Sequence, residues 1–482
     1  MKRIIASLLL VVVLLTGMIG SLASCKPPSG PEVDFVMPEG GFDTTKPVTI
    51  KFYHSMGAAL QEILNETIVE FNKIYPNITI EHESLGDYDG VRNQIKTEIA
   101  VGAQPNLAYC YPDHIALYNK AGAVQTLDTL IADPTVGFTQ AQLDDFIEGY
   151  YAEGKVFGDG KMYSLPLSKS TEVLYYNVEA LVAAGVVDAD GNAAPPKTWE
   201  EMAAACEKLK AWDPKCIPLG YDSESNWFIT MCEQYGSPYT SSTGDNFLFD
   251  NETNRNFVKM FREWYEKKWV TTEELSGGYT SALFTGESSS SENSTVEAGT
   301  RCYMCIGSTG GATYQQPNQT NGKYEFTVGI TSIPQVNPEQ PKVISQGPSI
   351  CIFKKADPQE VLATWLFAKY LTTDVNFQAR VSMNNGYAPV IKSVAENPVY
   401  ADFLASASTD NIQAYAVKVA LEQEEAYYAS PAFNGSSVAR EQVGLLIQKC
   451  FTLEASSAAD LDAKIKKAFA DCIDECKYQS AQ

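Results

Sequence analysis

Apolar and polar residues alternate from Val48 to Tyr53, with Val48, Ile50 and Phe52 set against Thr49 and Lys51. This period of two predicts a strand with one buried face. The next run changes period. Leu60, Ile63, Leu64, Ile68, Phe71 and Ile74 fall on one face of a helix, and Pro76-Asn77 ends it. Ile78–Glu83 reads as a second strand, so the unit is strand–helix–strand and predicts a parallel α/β sheet. Val91, Ile95 and Ile99 mark another helix, closed by Gly102 and Pro105, and a third strand runs from Asn106 to Tyr111 into Pro112-Asp113. The loops after these three strands should share one edge of the sheet, where open α/β folds bind ligands.

The stretch Lys161–Asn177 is different. It begins and ends with β-favouring residues, is broken by Pro166, and has a polar centre, Ser168-Lys169-Ser170-Thr171. That centre looks too hydrophilic for a strand interior. It predicts a crossover between two α/β lobes, with the polar residues facing a cleft. A plain strand pair with a surface turn fits the pattern equally well.

Downstream, Asn177 is placed to cap a short helix and Thr198-x-x-Glu201 forms a capping box. Two helical stripes follow: Trp199, Met202, Cys206 and Leu209, then Phe257, Met260, Phe261, Trp264 and Tyr265. Both read as core. Residues 286–299 form a Ser/Glu-rich surface loop, Arg301–Ile306 a strand, and Gly307–Gly311 a glycine-rich opening to the next segment. Thr327–Pro334 and Val343–Phe353 read as strands, and Asp357-Pro358 with Glu360 as a helix start. Turns at Asn385-Gly386-Tyr387 and Asn434-Gly435 precede amphipathic helices over Ser437–Leu453 and Asp460–Lys477. No internal repeat is visible.

Length changes the picture first: 482 residues need more than one core. The N-terminus supplies an address. Lys2 and Arg3 precede an apolar run, Ile4–Gly20, and then Leu22-Ala23-Ser24-Cys25. This is a secretory signal, and its end resembles the lipobox of bacterial lipoproteins, whose cysteine is diacylated. Cys25 is the expected anchor. Residues 26–46, rich in Pro, Gly and acidic residues, are expected to be a flexible leash. Loss of Lys2 and Arg3 takes the net charge of −23 to about −25. That balance excludes a basic nucleic-acid face and adhesion to anionic lipid, and selects no ligand.

Eleven cysteines include Cys25, and the rest are irregularly spaced. Cys302-x-x-Cys305 lacks the second pair that structural zinc needs, and its apolar neighbours favour buried free thiols; Cys472 and Cys476, one helical turn apart, are close enough to pair. The three histidines, His54, His82 and His114, make no metal motif. There is no G-x-S-x-G elbow. Ser308–Gly311 lacks the lysine of a Walker loop, although its backbone N–H groups suit an anion or hydroxyls; an ordinary glycine turn fits as well. Tyr88, Tyr111, Trp227 and Tyr387 lie beside loops rich in hydroxyl and amide groups. Flat rings beside polar groups suit sugars and polyols.

Five stretches carry a resemblance. They are Thr49-Ile50-Lys51-Phe52-Tyr53-His54-Ser55-Met56, Gly86-Asp87-Tyr88, Leu174-Tyr175-Tyr176-Asn177, Lys197-Thr198-Trp199-Glu200-Glu201-Met202 and Asn385-Gly386-Tyr387-Ala388-Pro389-Val390. In this order the chain resembles family 1 extracellular solute-binding proteins of ABC transporters, with the glycerol-phosphate binders nearest in flavour and the maltose binders more distant. The resemblance spans nearly all of 47–475. It implies an α/β, two-lobed periplasmic-binding-protein fold of type II, with a central mixed sheet in each lobe and a ligand cleft between them. Residues 47–167 and 331–375 would form the N-terminal lobe, and 168–330 and 376–482 the C-terminal lobe, with crossings near 166–171, 330–335 and 373–378. It also implies capture without chemistry or cofactor by a monomer that serves a membrane permease driven by a separate ATPase. The ligand residues it implies are Tyr88, Asp113, Ser170, Ser308, Gly347, Tyr387 and Arg440, with Trp227 (and Asn226 beside it) on the tryptophan-bearing loop. The chain departs from the pattern at Gln346-Gly347-Pro348-Ser349, where the relatives have Gly-Gly-Ala-Ser, and around Trp227. The rival readings are a secreted carbohydrate-active enzyme such as a glycosidase, and a surface adhesin.

Overall fold

The structure is a computed structural model that describes residues 35–287 and 294–481. Cys25 and the signal segment lie outside the described residues.

The chain begins its first lobe with β1 (Val48–His54), α1 (Ala58–Ile74), β2 (Ile78–Ser84), α2 (Tyr88–Ile99), β3 (Leu107–Cys110), α3 (Pro112–Asn119) and the short β4 (Leu165–Pro166). β1 pairs in parallel with both β2 and β3, so the loops after these three strands emerge at one edge. The α1 face behaves as its period demands: Ile63, Leu64 and Phe71 are buried, while Ile74 at the frayed end is exposed. The expected leash is docked from residue 35 onward. Phe35 is buried in the N-terminal core, with Met37 and Phe42 against it. The Asp43 amide donates to Gln359 (2.8 Å), and Asn77 Nδ2 donates to the Lys46 carbonyl (2.8 Å). Apolar side chains every few residues give this segment something to bury, which a Pro/Gly count does not register.

The chain then passes to a second sheet over 167–169. This lobe contains β5 (Ser170–Asn177), α4 (Val178–Ala183), α5 (Trp199–Trp212), β6 (Leu219–Tyr221), α6 (Glu224–Gln234), α7 (Glu252–Glu266), β7 (Val270–Thr272), β8 (Met304–Ser308), β9 (Val328–Ser332) and β10 (Val343–Gln346). The Asn177 side chain caps α4 through the Ala180 N–H. Thr198 caps α5, but the Glu201 carboxylate reaches the Lys197 amide rather than that of Thr198, so the box closes one residue early.

The expected strand Val343–Phe353 is in fact two strands in two different sheets. β10 pairs with β5 in the second lobe; β11 (Ser349–Ile352) returns to the first lobe between β3 and β4. The return crossing is therefore at 347–348, not at 330–335. The physical reason is local. Gly347 takes φ +91, where an L side chain is disfavoured, and Pro348 has no N–H for a ladder. α8 (Pro358–Thr373), α9 (Val375–Asn385) and α10 (Pro398–Ala405) then pack on the first lobe. Phe377, Val381, Val390 and Tyr400 join its core, so the crossing expected at 373–378 is also displaced. α11 (Ile412–Glu422) is shared: Val417 joins the first-lobe core, while Ile412, Ala416 and Val419 pack with Val173 and Ile330 of the second. β12 (Tyr427–Tyr428), α12 (Ser436–Thr452) and α13 (Ala458–Ser480) complete the second lobe.

The first sheet runs β2-β1-β3-β11-β4, and the second β12-β10-β5-β8-β6-β7 with β9 also paired to β5. Each is mixed, and each lies in its own core. All ten described cysteines are buried free thiols, Cys302, Cys305, Cys472 and Cys476 among them. Among the described residues no helix is long and apolar enough to cross a membrane.

Candidate binding cleft

A cavity of about 560 Å³ lies between the lobes. Its first-lobe wall is the edge where β2 and β3 end. Tyr88 opens α2 just after Gly86 (φ +86), and Asp87 fixes that turn by accepting the Gly90 amide at 2.7 Å. Tyr111 precedes Pro112, the first residue of α3, and Asp113 follows in the same turn, accepting the His114 amide at 3.0 Å. The rings of Tyr88 and Tyr111 meet at 4.7 Å between centroids. Burial, reinforced by neighbouring tyrosine hydroxyls, raises the Tyr88 phenol well above its usual range. It is a neutral donor at any physiological pH.

The opposite wall comes from the second lobe: Ser225 at the start of α6, Tyr239, Gln346 at the end of β10, and Ser436, Ser437 and Arg440 on α12. Behind it lies a polar chain that fixes Arg440. Glu172, buried on β5, accepts from the Tyr221 hydroxyl at 2.7 Å and from Asn226 Nδ2 at 2.9 Å. With its amide nitrogen committed to Glu172, Asn226 must turn its oxygen outward, and there it accepts from the Arg440 guanidinium. Burial pushes the Glu172 carboxyl up to about 7, against the lowering effect of the Tyr221 and Asn226 hydrogen bonds and of Arg440.

The cleft thus brings Tyr88, Asp113 and Arg440 onto one cavity. Tyr387 is not among the lining residues; its ring lies over Gly310 so closely that a Cβ there would stand 2.8 Å from Cε2. Ser170, Ser308 and Gly347 are in the seam behind the wall. Ser170 is buried opposite Gln346; Ser308 Oγ accepts the Gly310 amide at 3.1 Å; the Gly347 carbonyl accepts Lys169 Nζ at 3.2 Å. Trp227 must be corrected. It is fully buried in the second-lobe core, stacked on Phe261 at 3.8 Å and 14° and not among the residues lining the cavity, because α6 is covered on nearly every side.

The polar centre 168–171 is also corrected: all four residues are buried. Lys169 is accommodated there by an ion pair with Glu153, which itself lines the cavity. Sequence reasoning missed Glu172, Tyr239, His114 and the Lys169–Glu153 pair. A glutamate just before the apolar run Val173–Tyr176 was the visible signal for Glu172. The others depend on partners remote in sequence.

Comparison with known proteins agrees with this architecture. Residues 66–407 match the family of bacterial extracellular solute-binding proteins. The sn-glycerol-3-phosphate-binding periplasmic protein UgpB of Salmonella typhimurium is 25% identical over 356 residues, 72% of this chain and 75% of that protein. Among solved structures, UgpB from Mycobacterium tuberculosis in complex with glycerophosphocholine superposes with TM-score 0.67 at 17% identity, covering 90% of this chain and 99% of that one. The ABC substrate-binding protein Lmo0181 from Listeria monocytogenes in complex with cycloalternan gives TM-score 0.67 at 18% identity, over 90% and 99% of the two chains. Two mixed sheets exchanging strands around a shared cleft, together with a match over most of the chain, lead to one conclusion: the protein belongs to the bacterial extracellular solute-binding proteins, the solute-capturing components of ABC importers.

Proposed function

We propose that this protein captures a small polar solute, of the glycerol-phosphate or carbohydrate class, by closing its two lobes over it. It then presents the solute unchanged to a membrane permease powered by a separate ATPase. The body works as a monomer outside the cytoplasmic membrane, tethered through lipidated Cys25, and has no catalytic role. The observation that carries the reading is the shared cavity: Tyr88 and Asp113 face it from one lobe, and Arg440 from the other. A ligand touching both walls binds the closed form better than the open one, and only such differential binding shifts the balance. The ligands of the named relatives support the solute class.

The test combines calorimetry and small-angle scattering. Titration with sn-glycerol 3-phosphate, glycerophosphocholine and maltose should give heat for at least one of them, and the radius of gyration should fall at saturation. Saturable binding with an unchanged radius would overturn hinge closure. Products formed from the sugar would instead support an enzyme.

A further inference from the structure

We infer that residues 35–46 form a strap that fastens the lipid tether to the first lobe at the edge opposite the cleft. The strap shortens the free tether, keeps the body close to the lipid surface and makes the second lobe the one that moves during closure. The inference rests on the reading that Cys25 carries the lipid.

Three observations meet here. The first is how the strap is held. Phe35 is 9% exposed in the first-lobe core and Met37 packs against that core, while Val36 between them is 70% exposed. Gly40 (φ +88) and Gly41 (φ +70) then turn the chain, and the Gly41 amide closes the turn on the Pro38 carbonyl at 3.0 Å. Phe42 meets the Tyr75 ring edge-on, with centroids at 6.1 Å. Gln359 grips the backbone on both sides of Phe42: its side chain donates to the Gly41 carbonyl at 2.9 Å and accepts the Asp43 amide at 2.8 Å. Asn77 Nδ2 holds the Lys46 carbonyl. Ordering these residues costs conformational entropy, which burial of Phe35, Met37 and Phe42 offsets. A segment that supplied reach alone would carry no such fixings.

The second is where the strap sits. The Val48 amide bonds the Asn77 carbonyl at 2.9 Å, so the strap ends where β1 and β2 begin, and Gln359 is in the first turn of α8. The cleft lies at the other ends of the strands, at Tyr88 after β2 and at Tyr111 and Asp113 after β3. β1 has seven residues and separates the two edges by about 20 Å.

The third is reach. Phe35 is the tenth residue after Cys25. A fully extended chain of that length spans at most about 35 Å, whereas the same chain measured to Val48 would span about 80 Å. Every partner of the strap named above lies on the first lobe. The anchor therefore restrains the first lobe directly, and the second only through the passages between the sheets. The cleft stays clear of the edge on which the lipid pulls.

The experiment uses the whole lipoprotein, inserted through its own lipid into a supported bilayer of phosphatidylcholine and phosphatidylglycerol, beside its Gln359→Ala and Phe42→Ser variants and the double variant. Intact mass reads the lipid on Cys25, and circular dichroism melting shows that each variant folds. In the wild type, hydrogen exchange at the Asp43 amide should be slowed roughly a hundredfold or more relative to an unstructured peptide. Neutron reflectometry should find the mean height of the protein layer above the bilayer raised, by up to roughly twofold, in each variant that loses this protection. Free exchange at Asp43 in the wild type, or an unchanged height in a variant whose strap exchanges freely, overturns the strap and leaves the lipid tether standing. Full protection in the double variant overturns the grip assigned to Gln359 and Phe42. Wild-type protein without lipid on Cys25 overturns the tether itself, and the strap's role as its fastening falls with it.

Discussion

Replacing Lys169 by methionine tests how the hinge is held. Lys169 lies on the first passage between the sheets, and its side chain is 0% exposed; Glu153, its partner, is 4% exposed. The ammonium's other hydrogens go to the Gly347 carbonyl at 3.2 Å, on the second passage, and to Ser349 Oγ at 3.0 Å, at the start of β11. Ser349 in turn donates to Glu153 at 3.0 Å. The pair is thus fully hydrogen-bonded, which repays much of the cost of taking two charges out of water. Lys169→Met removes the cation and leaves a buried carboxylate facing two serines and an orphaned carbonyl. Breaking such a pair costs about 3–5 kcal/mol, whereas replacing both partners by apolar residues is close to neutral. Equilibrium urea unfolding of Lys169→Met, Glu153→Leu and the double variant, followed by tryptophan fluorescence, should show two large single losses and a double variant within ~1–2 kcal/mol of wild type. The unliganded Lys169→Met protein should also scatter with a larger radius of gyration, since both passages lose their shared tie. A single-variant loss below ~1 kcal/mol would refute the reasoning, because a desolvated charge cannot be abandoned so cheaply.

Acid should unfold the protein partly through His54. Its Nδ1 accepts the Met56 amide at 3.1 Å and its Nε2 faces His82 Nδ1 at 2.9 Å, while burial first, then the His82 charge, lowers it from 6.5 to about 3. The unfolded chain takes the proton first, so this stability is intact above about pH 6.5 and is lost as pH falls toward 3, by up to ~1.4 kcal/mol per pH unit; a His54→Gln variant should melt with a flatter acid limb between pH 6 and 4. Gly347→Ala should destabilise by ~1–3 kcal/mol in thermal or urea melts, because φ is +91 and the new Cβ would stand 2.5 Å from the Ser168 carbonyl oxygen. Trp227→Ala should cost about 3–5 kcal/mol of stability as a large core truncation. Its folded fraction should nevertheless bind solute with unchanged affinity by calorimetry, since the indole stacks on Phe261 and not on the cavity.

The β1–α1–β2 unit was legible from period alone, because β1, α1 and β2 each bury one face. Tyr88 stood out as an aromatic beside a loop, and Asp113 came only with the resemblance. What sequence could not show was which sheet a strand joins. Val343–Phe353 is apolar on both sides of Gly347-Pro348, and hydropathy is silent about a change of partner. Only the φ of +91 and the missing proline donor separate β10 from β11. Lys169 was read as cleft-facing because its own neighbours are polar; the group that permits its burial, Glu153, lies 16 residues earlier. Trp227 was read as a ligand aromatic because it stands beside a loop, but a ring's direction is set by what surrounds its helix, and α7 and α12 enclose this one. Arg440 was found by resemblance, while Glu172 and Asn226, which orient it, sit in a strand and a helix that no spacing links.

These corrections converge on how capture is transmitted. Two of the three passages between the sheets, at 167–169 and 347–348, are bound to the same ion pair, and one member of that pair, Glu153, also lines the cavity. A solute in the cleft therefore changes the surroundings of a charge that helps set the angle between the lobes. The second-lobe wall is coupled in a different way: Arg440 is held through Asn226 by Glu172, whose strand, β5, is the first element after the crossing and pairs with β10, the last before the return. The two strands that carry the chain across the cleft are thus the two whose polar residues meet the ligand wall. A fold that exchanges strands between its sheets gains more than covalent linkage, because each exchange places a hinge residue one hydrogen bond from the site it must report on.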